Sequence, residues 1–266
     1  MIPHPLVLAL ATAEPSVPPA DTLPPTIVLA SRVDPTLRPI ALWEENEIRA
    51  TNPRSIDELL ATDPSFSLYR PTSGIFANPT AAGVSLRNTG ATAASRSLVT
   101  LDGIPQNDPF GGWVDWTRID PWTLDSAAIL PSSRSTLWGN LSAAGSVQLT
   151  RRSISDNRAL LRLTAGSHGT LGATIGSDLL HPSLPLALSF HAFTLHADGF
   201  HVVPAGQRGP IDRPLDTTLS GATLRAEWSP APNLVIEPVL SFYDEHRGNG
   251  TPLAAKAPKP LMPRCA

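Results

Sequence analysis

Hydrophobic and polar positions alternate through the second half of the chain. Leu161, Leu163 and Ala165 fall on one side, with Arg162 and Thr164 on the other. Ala222, Leu224, Ala226 and Trp228 oppose Thr223, Arg225 and Glu227, and Leu234, Ile236, Leu240 and Phe242 oppose Glu237 and Ser241. A period of two belongs to a strand whose two faces meet different surroundings. With 171–180 and 186–195, the pattern predicts about five strands, some separated by long polar segments such as His196–Asp216. In 186–195 the alternation slips phase at Phe193, which predicts a bulge there or a different register. Periodicity alone favours a soluble antiparallel sandwich with one wet face.

The first half is patterned differently. Pro39–Trp43 reads as a strand leading into a helical turn at Glu44–Ala50. Asn52-Pro53 reads as a helix start, Asn as N-cap and Pro at the first helical position. Ile56, Leu59 and Leu60 then share a face at helical spacing, and Asp57 and Glu58 sit near the positive end of the dipole. Asp63-Pro64 stops that helix. Short strands follow at Ser65–Tyr69, Gly83–Arg87 and Ser97–Leu101, the last turned by Asp102-Gly103. Ile119–Leu124 reads as a helical turn, and Ala127–Leu130 and Ser146–Thr150 as further strands. The segment from Ile104 to Arg118 suits neither helix nor strand. It carries Gly111-Gly112, Phe110, Trp113 and Trp116 beside Asn107, Asp108 and Asp115.

Composition narrows the class. Charged residues make up 16% of the 266, against a usual share of about 25%, and there are 29 prolines. That disfavours a helical bundle, whereas a net charge of −3 with ordinary apolar content disfavours disorder. A single cysteine, Cys265, excludes a disulfide framework and a cysteine-rich zinc site. No run of 18 apolar residues is present, and no basic excess points to nucleic acid. The cations are 18 Arg and two Lys, both lysines lying in the last 11 residues with the cysteine. Residues 256–266 are therefore compositionally foreign, as a read-through or frameshifted end would be; the alternative is an ordinary proline-rich terminus.

At the other end, Leu6–Ala11 followed by Ala11-Thr-Ala13 has the form of a secretory signal core and cleavage site, with no Lys or Arg before it. Residues 1–13 are read as a signal remnant. Residues 14–37 form a proline-rich linker that delivers Thr26-Ile27-Val28-Leu29-Ala30, a β-favouring pentapeptide. That pentapeptide either packs on the following domain or is picked up by a partner through edge pairing. His181, His191, His196 and His201 fit no metal-ligand spacing, and Asp102 and Asp108 have no accompanying nucleophile or base. No phosphate loop or dinucleotide fingerprint occurs. The expectation is a non-enzyme with no cofactor, no catalytic residue and no metal site.

Three segments keep the order and spacing of one family: Ser55-Ile-Asp-Glu-Leu-Leu60, Ser97-Leu-Val-Thr-Leu-Asp-Gly-Ile-Pro-Gln-Asn107, and Leu137-Trp-Gly-Asn-Leu-Ser-Ala-Ala-Gly-Ser-Val-Gln-Leu-Thr150. They resemble the plug domain of TonB-dependent outer-membrane receptors, and Thr26–Ala30 falls where that family carries its TonB box. The resemblance implies an α+β plug over 38–152, followed over 153–255 by the first antiparallel strands of an incomplete outer-membrane β-barrel. It turns the second half into strands with lipid on the apolar face. About five strands cannot close a barrel of roughly 22, so the chain is read as an N-terminal fragment.

The resemblance further implies a Gram-negative outer-membrane location and a TonB-type energy transducer as partner. The ligand it implies is large and scarce: a siderophore or other metal chelate, a corrinoid or a saccharide. Candidate ligand contacts are Asn107, Asp108, Phe110, Trp113, Asp115 and Trp116. Some family features are missing: Arg87 is followed by Asn88 rather than Gly, and Ser126–Pro131 lacks the usual Glu and Arg. Those departures put a charge-based latch between plug and barrel in doubt. The reading from another class is a secreted or periplasmic β-rich binding protein without transport.

Overall fold

The computed structural model describes residues 7–11, 39–70, 72–78, 80, 82–86, 97–130, 142, 144–248 and 250. Thr26–Ala30, the linker and the 256–266 tail lie outside the described residues.

Strand β1 (Val7–Ala11) is the segment expected as a signal core; its backbone pairs antiparallel with a strand near the far end of the chain. The domain expected as the plug then begins with β2 (Ala41–Glu44) and helix α1 (Glu45–Thr51). Asn52 is not the N-cap of the next helix. It ends α1 instead, in the left-handed region at φ 49°, where its N–H bonds to the Ile48 carbonyl. Asparagine tolerates that conformation better than most residues, so it serves at either end of a helix. Ser55 precedes helix α2 (Ile56–Leu60), whose Ile56, Leu59 and Leu60 are buried as their spacing requires.

Strands β3 (Phe66–Leu68) and β4 (Val84–Leu86) pair with each other. Next come β5 (Leu98–Leu101), β6 (Ile104–Pro105), a 3-10 turn at Pro121–Thr123, β7 (Leu124–Leu130) and β8 (Ser146–Arg151). They form a mixed sheet in the order β2-β7-β8-β5-β6, with β5 and β8 parallel. Asp102 and Gly103, both at positive φ, turn β5 into β6. Asp102 does more than turn the chain: its carboxylate accepts from the Arg151 backbone N–H and from its guanidinium, both at 2.8 Å. One core of Ile48, Ile56, Leu59, Phe66, Leu86, Val99, Trp116, Ile129 and Val147, among others, fills the plug.

The second half is one antiparallel sheet of β9 (Arg158–Ala165), β10 (Leu171–Leu180), β11 (Leu186–Ala197), β12 (Thr217–Ala231) and β13 (Leu234–Arg247), with β1 along its outer edge. β11 runs in unbroken register through Phe193, so no bulge occurs there. The apparent slip arises because Phe193 is an aromatic on the polar face. Its ring lies over Gly221 of β12, where a Cβ would come within 2.5 Å of it. Glycine opposite makes room for the ring. The irregularity in the sheet falls instead between Trp228 and Ala231.

The two faces differ in what covers them. A soluble sandwich would bury the apolar face and wet the polar one. Here Leu161 and Leu163 stand 72% and 77% exposed, and Ile175, Leu224, Trp228, Leu240 and Phe242 share the bare side. Thr174, Asp178, His191, Thr217 and Arg225 on the other side are buried against the plug. An apolar face of that extent is left open, over strands of 10 to 15 residues in β10 to β13, with no second sheet packed on it among the described residues. The soluble sandwich is therefore set aside. The sheet is not closed.

Candidate functional site: the plug loop and the barrel wall

The aromatic loop is built from its own polar groups. Asn107 Oδ1 accepts from the Val99 N–H at 2.8 Å, and its Nδ2 donates to the carbonyls of Ser97 and Gly112. Asp108 Oδ1 accepts from the N–H groups of Phe110 and Gly111, at 2.9 and 2.6 Å, and the Asp108 N–H donates to the Trp113 carbonyl. Asn107 bridges to Val114 across the neck. The paired glycines have separate tasks. Gly111 leaves space for the Trp113 ring, which a Cβ would overlap at 1.5 Å, and Gly112 takes a φ of 72°.

The six residues expected to meet a ligand therefore divide. Phe110 stands 98% exposed at the loop tip, and Trp113 is half-buried over Gly111. Asn107, Asp108 and Asp115 spend side-chain oxygens on shaping the loop, Asp115 by accepting from the Thr117 hydroxyl at 2.9 Å. Trp116 is corrected outright. It is 2% exposed in the plug core, edge-on to Phe66 at 5.7 Å, with its indole N–H on the Ala82 carbonyl. It offers a ligand no surface.

Sequence reasoning passed over Phe76 and Phe200. The first lies in a turn at 73–77 and the second in the long segment between β11 and β12. Their rings meet edge-on at 5.4 Å, with His168 beside Phe200 at 5.6 Å. Nothing in the chain marks them: each is a lone aromatic in irregular sequence, and their contact spans more than 120 positions.

At the opposite end of the wall, a cluster of ion pairs joins the first helix to the strands. Glu45, the first residue of α1, meets Arg49 at 2.5 Å, Arg158 at 3.2 Å and Arg152 at 3.4 Å. Arg152 also pairs with Asp178 of β10, which accepts from the Ser189 hydroxyl at 2.6 Å. Arg225 of β12 donates to the Arg152 carbonyl at 2.5 Å and pairs with Glu227 and Glu237. Arg162 of β9 donates to Asn52 and Pro53, and its guanidinium lies 4.9 Å from the centre of the Trp122 ring. Between these contacts is a cavity of about 110 Å³, bordered by Trp122, Arg152, Asp178, His191 and Arg225.

Burial tends to raise the Glu45 carboxyl, but the guanidinium of Arg49, with those of Arg152 and Arg158, more than reverses this and holds it below its ordinary value of 4.5. A depressed carboxyl stabilises the fold at neutral pH, fully so above the unfolded value. That contribution is lost as pH falls through the folded value, below 4.5. The urea midpoint of the wild type should therefore drop more steeply below that pH than that of Glu45→Gln. Parallel curves for the two proteins would contradict this.

Comparison with known proteins agrees with this geometry. Residues 35–146 match the family model of the TonB-dependent receptor plug domain. No curated protein matches significantly in sequence. Among solved structures, the chain is similar to the ferric enterobactin receptor of Pseudomonas aeruginosa, at 14% identity and a TM-score of 0.59, over 78% of this chain and 33% of that one. It is also similar to the ferric citrate transporter, at 16% identity and a TM-score of 0.59 over 78% and 31%, respectively. A third is the ferric yersiniabactin uptake receptor of Yersinia pestis, at 16% and 0.56 over 71% and 28%. The chain thus spans about a third of the length of these receptors. Residues 35–146 thus match a TonB-dependent receptor plug domain, and the antiparallel strands that follow are similar in fold to the start of those receptors' barrels. Members of that family are outer-membrane transporters and receptors, not enzymes.

Proposed function

We propose that the chain is the N-terminal part of a TonB-dependent outer-membrane receptor that binds a ferric siderophore complex on the plug and imports it. The observation that carries this reading is the sheet with a bare apolar face and a polar face filled by the plug. A wall between lipid and plug suits both sides. The ligand class rests on the solved receptors of similar fold, which are named for ferric enterobactin, ferric citrate and ferric yersiniabactin. The plug loop adds to it, since Phe110 and Trp113 offer flat apolar surface to a large amphipathic chelate. Thr26–Ala30 is the segment that a TonB-type transducer pairs with.

Phe110 and Trp113 are the residues that remain of the six expected contacts. In a receptor carrying this plug within a complete barrel, Phe110→Ala with Trp113→Ala should weaken ferric enterobactin or ferric citrate binding at least about tenfold, equal to about 1.4 kcal/mol. Titration of the intrinsic fluorescence reads it. Unchanged affinity for whichever complex the wild type binds would remove the loop from the site. Binding of cobalamin or an oligosaccharide, with no ferric complex bound, would overturn the ligand class.

A further inference from the structure

The last residue of β13 is an arginine whose side chain is only 8% exposed and faces the plug. Its partners are mostly plug backbone. Arg247 Nη1 lies 2.6 Å from the Gly74 carbonyl, 2.9 Å from that of Ile75 and 2.6 Å from that of Ala77. Its Nη2 reaches the Thr117 hydroxyl at 3.3 Å, and its Nε meets Glu245. The turn it grips is one helical turn, in which the N–H groups of Phe76 and Ala77 both return to the Ser73 carbonyl. Its carbonyls converge on the guanidinium, as the carbonyls that end a helical turn need donors from outside it.

Other contacts fasten the same turn. Ile75 is fully buried in a small apolar patch with Leu195 and Leu219 of the wall, and the Thr217 hydroxyl donates to the Ile75 carbonyl at 2.8 Å. From the plug side, buried Asp57 of α2 accepts from the Gly74 N–H at 2.7 Å and from the Ser55 hydroxyl at 2.6 Å. Gly74 leaves little room for a side chain, since a Cβ would stand 3.0 Å from Asp57 Oδ1 and 3.2 Å from the Trp116 Cβ. Thr117, the second segment that Arg247 touches, directly follows the aromatic loop and also bonds to the Tyr243 hydroxyl at 2.6 Å.

We propose that Arg247 is the positioning residue of the plug's ligand-facing side: one wall guanidinium that fixes the 73–77 turn bearing Phe76 and the Thr117 end of the aromatic loop. The assignment rests on the reading of that side as ligand-facing. A planar fork with five N–H donors in fixed directions can serve both segments at once, and two Nη1 hydrogens can be shared among three converging carbonyls. A lysine ammonium is a single point with three donors, so it reaches part of the set. The ion pair to Glu245 lies within β13 and holds the guanidinium in place from its own strand.

The test is amide hydrogen exchange on the full chain refolded in detergent, and needs no ligand. Arg247→Met keeps the side chain's bulk and removes every donor. It should speed exchange at Phe76, Ala77 and Thr117 about tenfold or more, while Val99 and Leu149 in the plug sheet stay within about twofold of wild type. Arg247→Lys should fall between the two, and carries the same test if Arg247→Met does not fold. Unchanged exchange at 75–77, or equal loosening of the plug sheet and of β12 and β13, would overturn the assignment and leave Arg247 a general stabiliser of the wall. Failure of every chelate to bind would sink the ligand reading and leave this exchange result standing.

Discussion

Arg152→Met is expected to cost about 3–5 kcal/mol of unfolding free energy, the largest stability loss of any substitution considered. The reason lies in what it leaves behind. Asp178 has a side chain only 6% exposed, and its carboxylate is held between Arg152 and the Ser189 hydroxyl. With the guanidinium gone, a buried carboxylate retains one neutral donor and must either stay charged without a counter-ion or take up a proton. Arg152 also contacts Glu45, so the same change loosens α1 from the end of the plug. Pairing the change with Asp178→Leu should recover much of the loss, because a buried ion pair replaced whole by apolar groups is often neutral. Urea unfolding of the single and double variants in detergent gives the comparison. A cost for Arg152→Met below about 1 kcal/mol would place the pair in the class of screened surface ion pairs and refute its structural role.

That cluster also shows where sequence reasoning stops. The alternation of Leu161, Leu163 and their equivalents located the strands and assigned their faces, because a period of two needs only neighbours to be visible. The plug elements were legible in the same local way, from Ser55–Leu60 and from Asp102-Gly103. Contacts that join the halves were not. Arg162, Arg225 and Arg247 look like ordinary lumen-facing residues, and a strand sequence reads the same whether such a side chain meets water or a plug carbonyl. Arg247 and Gly74 are 173 positions apart, and no spacing rule spans that distance. Nor does any local pattern mark Glu45, Arg152 and Asp178 as partners, which only the fold brings together.

Two local misreadings have the same origin. Trp116 lies in a loop rich in exposed polar groups, and composition alone placed it with Phe110 and Trp113. Its burial against Phe66 depends on a strand fifty residues earlier. Phe193 breaks the polar rhythm of its face, and the space that accepts its ring comes from Gly221, on the neighbouring strand. In both cases an aromatic side chain is placed by a partner far away in sequence.

Val28→Pro should abolish energised uptake by a receptor that carries this segment in a complete barrel, while leaving chelate binding at its wild-type affinity. Edge pairing with a transducer strand depends on backbone N–H groups at alternate positions, and proline removes one donor and fixes φ near −65°. The substitution lies in the 14–37 linker, at a distance along the chain from every core residue of the plug, so stability should be unaffected. Uptake of the ferric complex in energised cells, set beside equilibrium binding to the same cells, separates coupling from recognition. Full uptake by the Val28→Pro receptor would strip Thr26–Ala30 of the coupling role. Loss of binding together with uptake would mean that the segment supports the plug itself. Only loss of uptake with binding retained fits a tether that passes force from a partner strand to the plug.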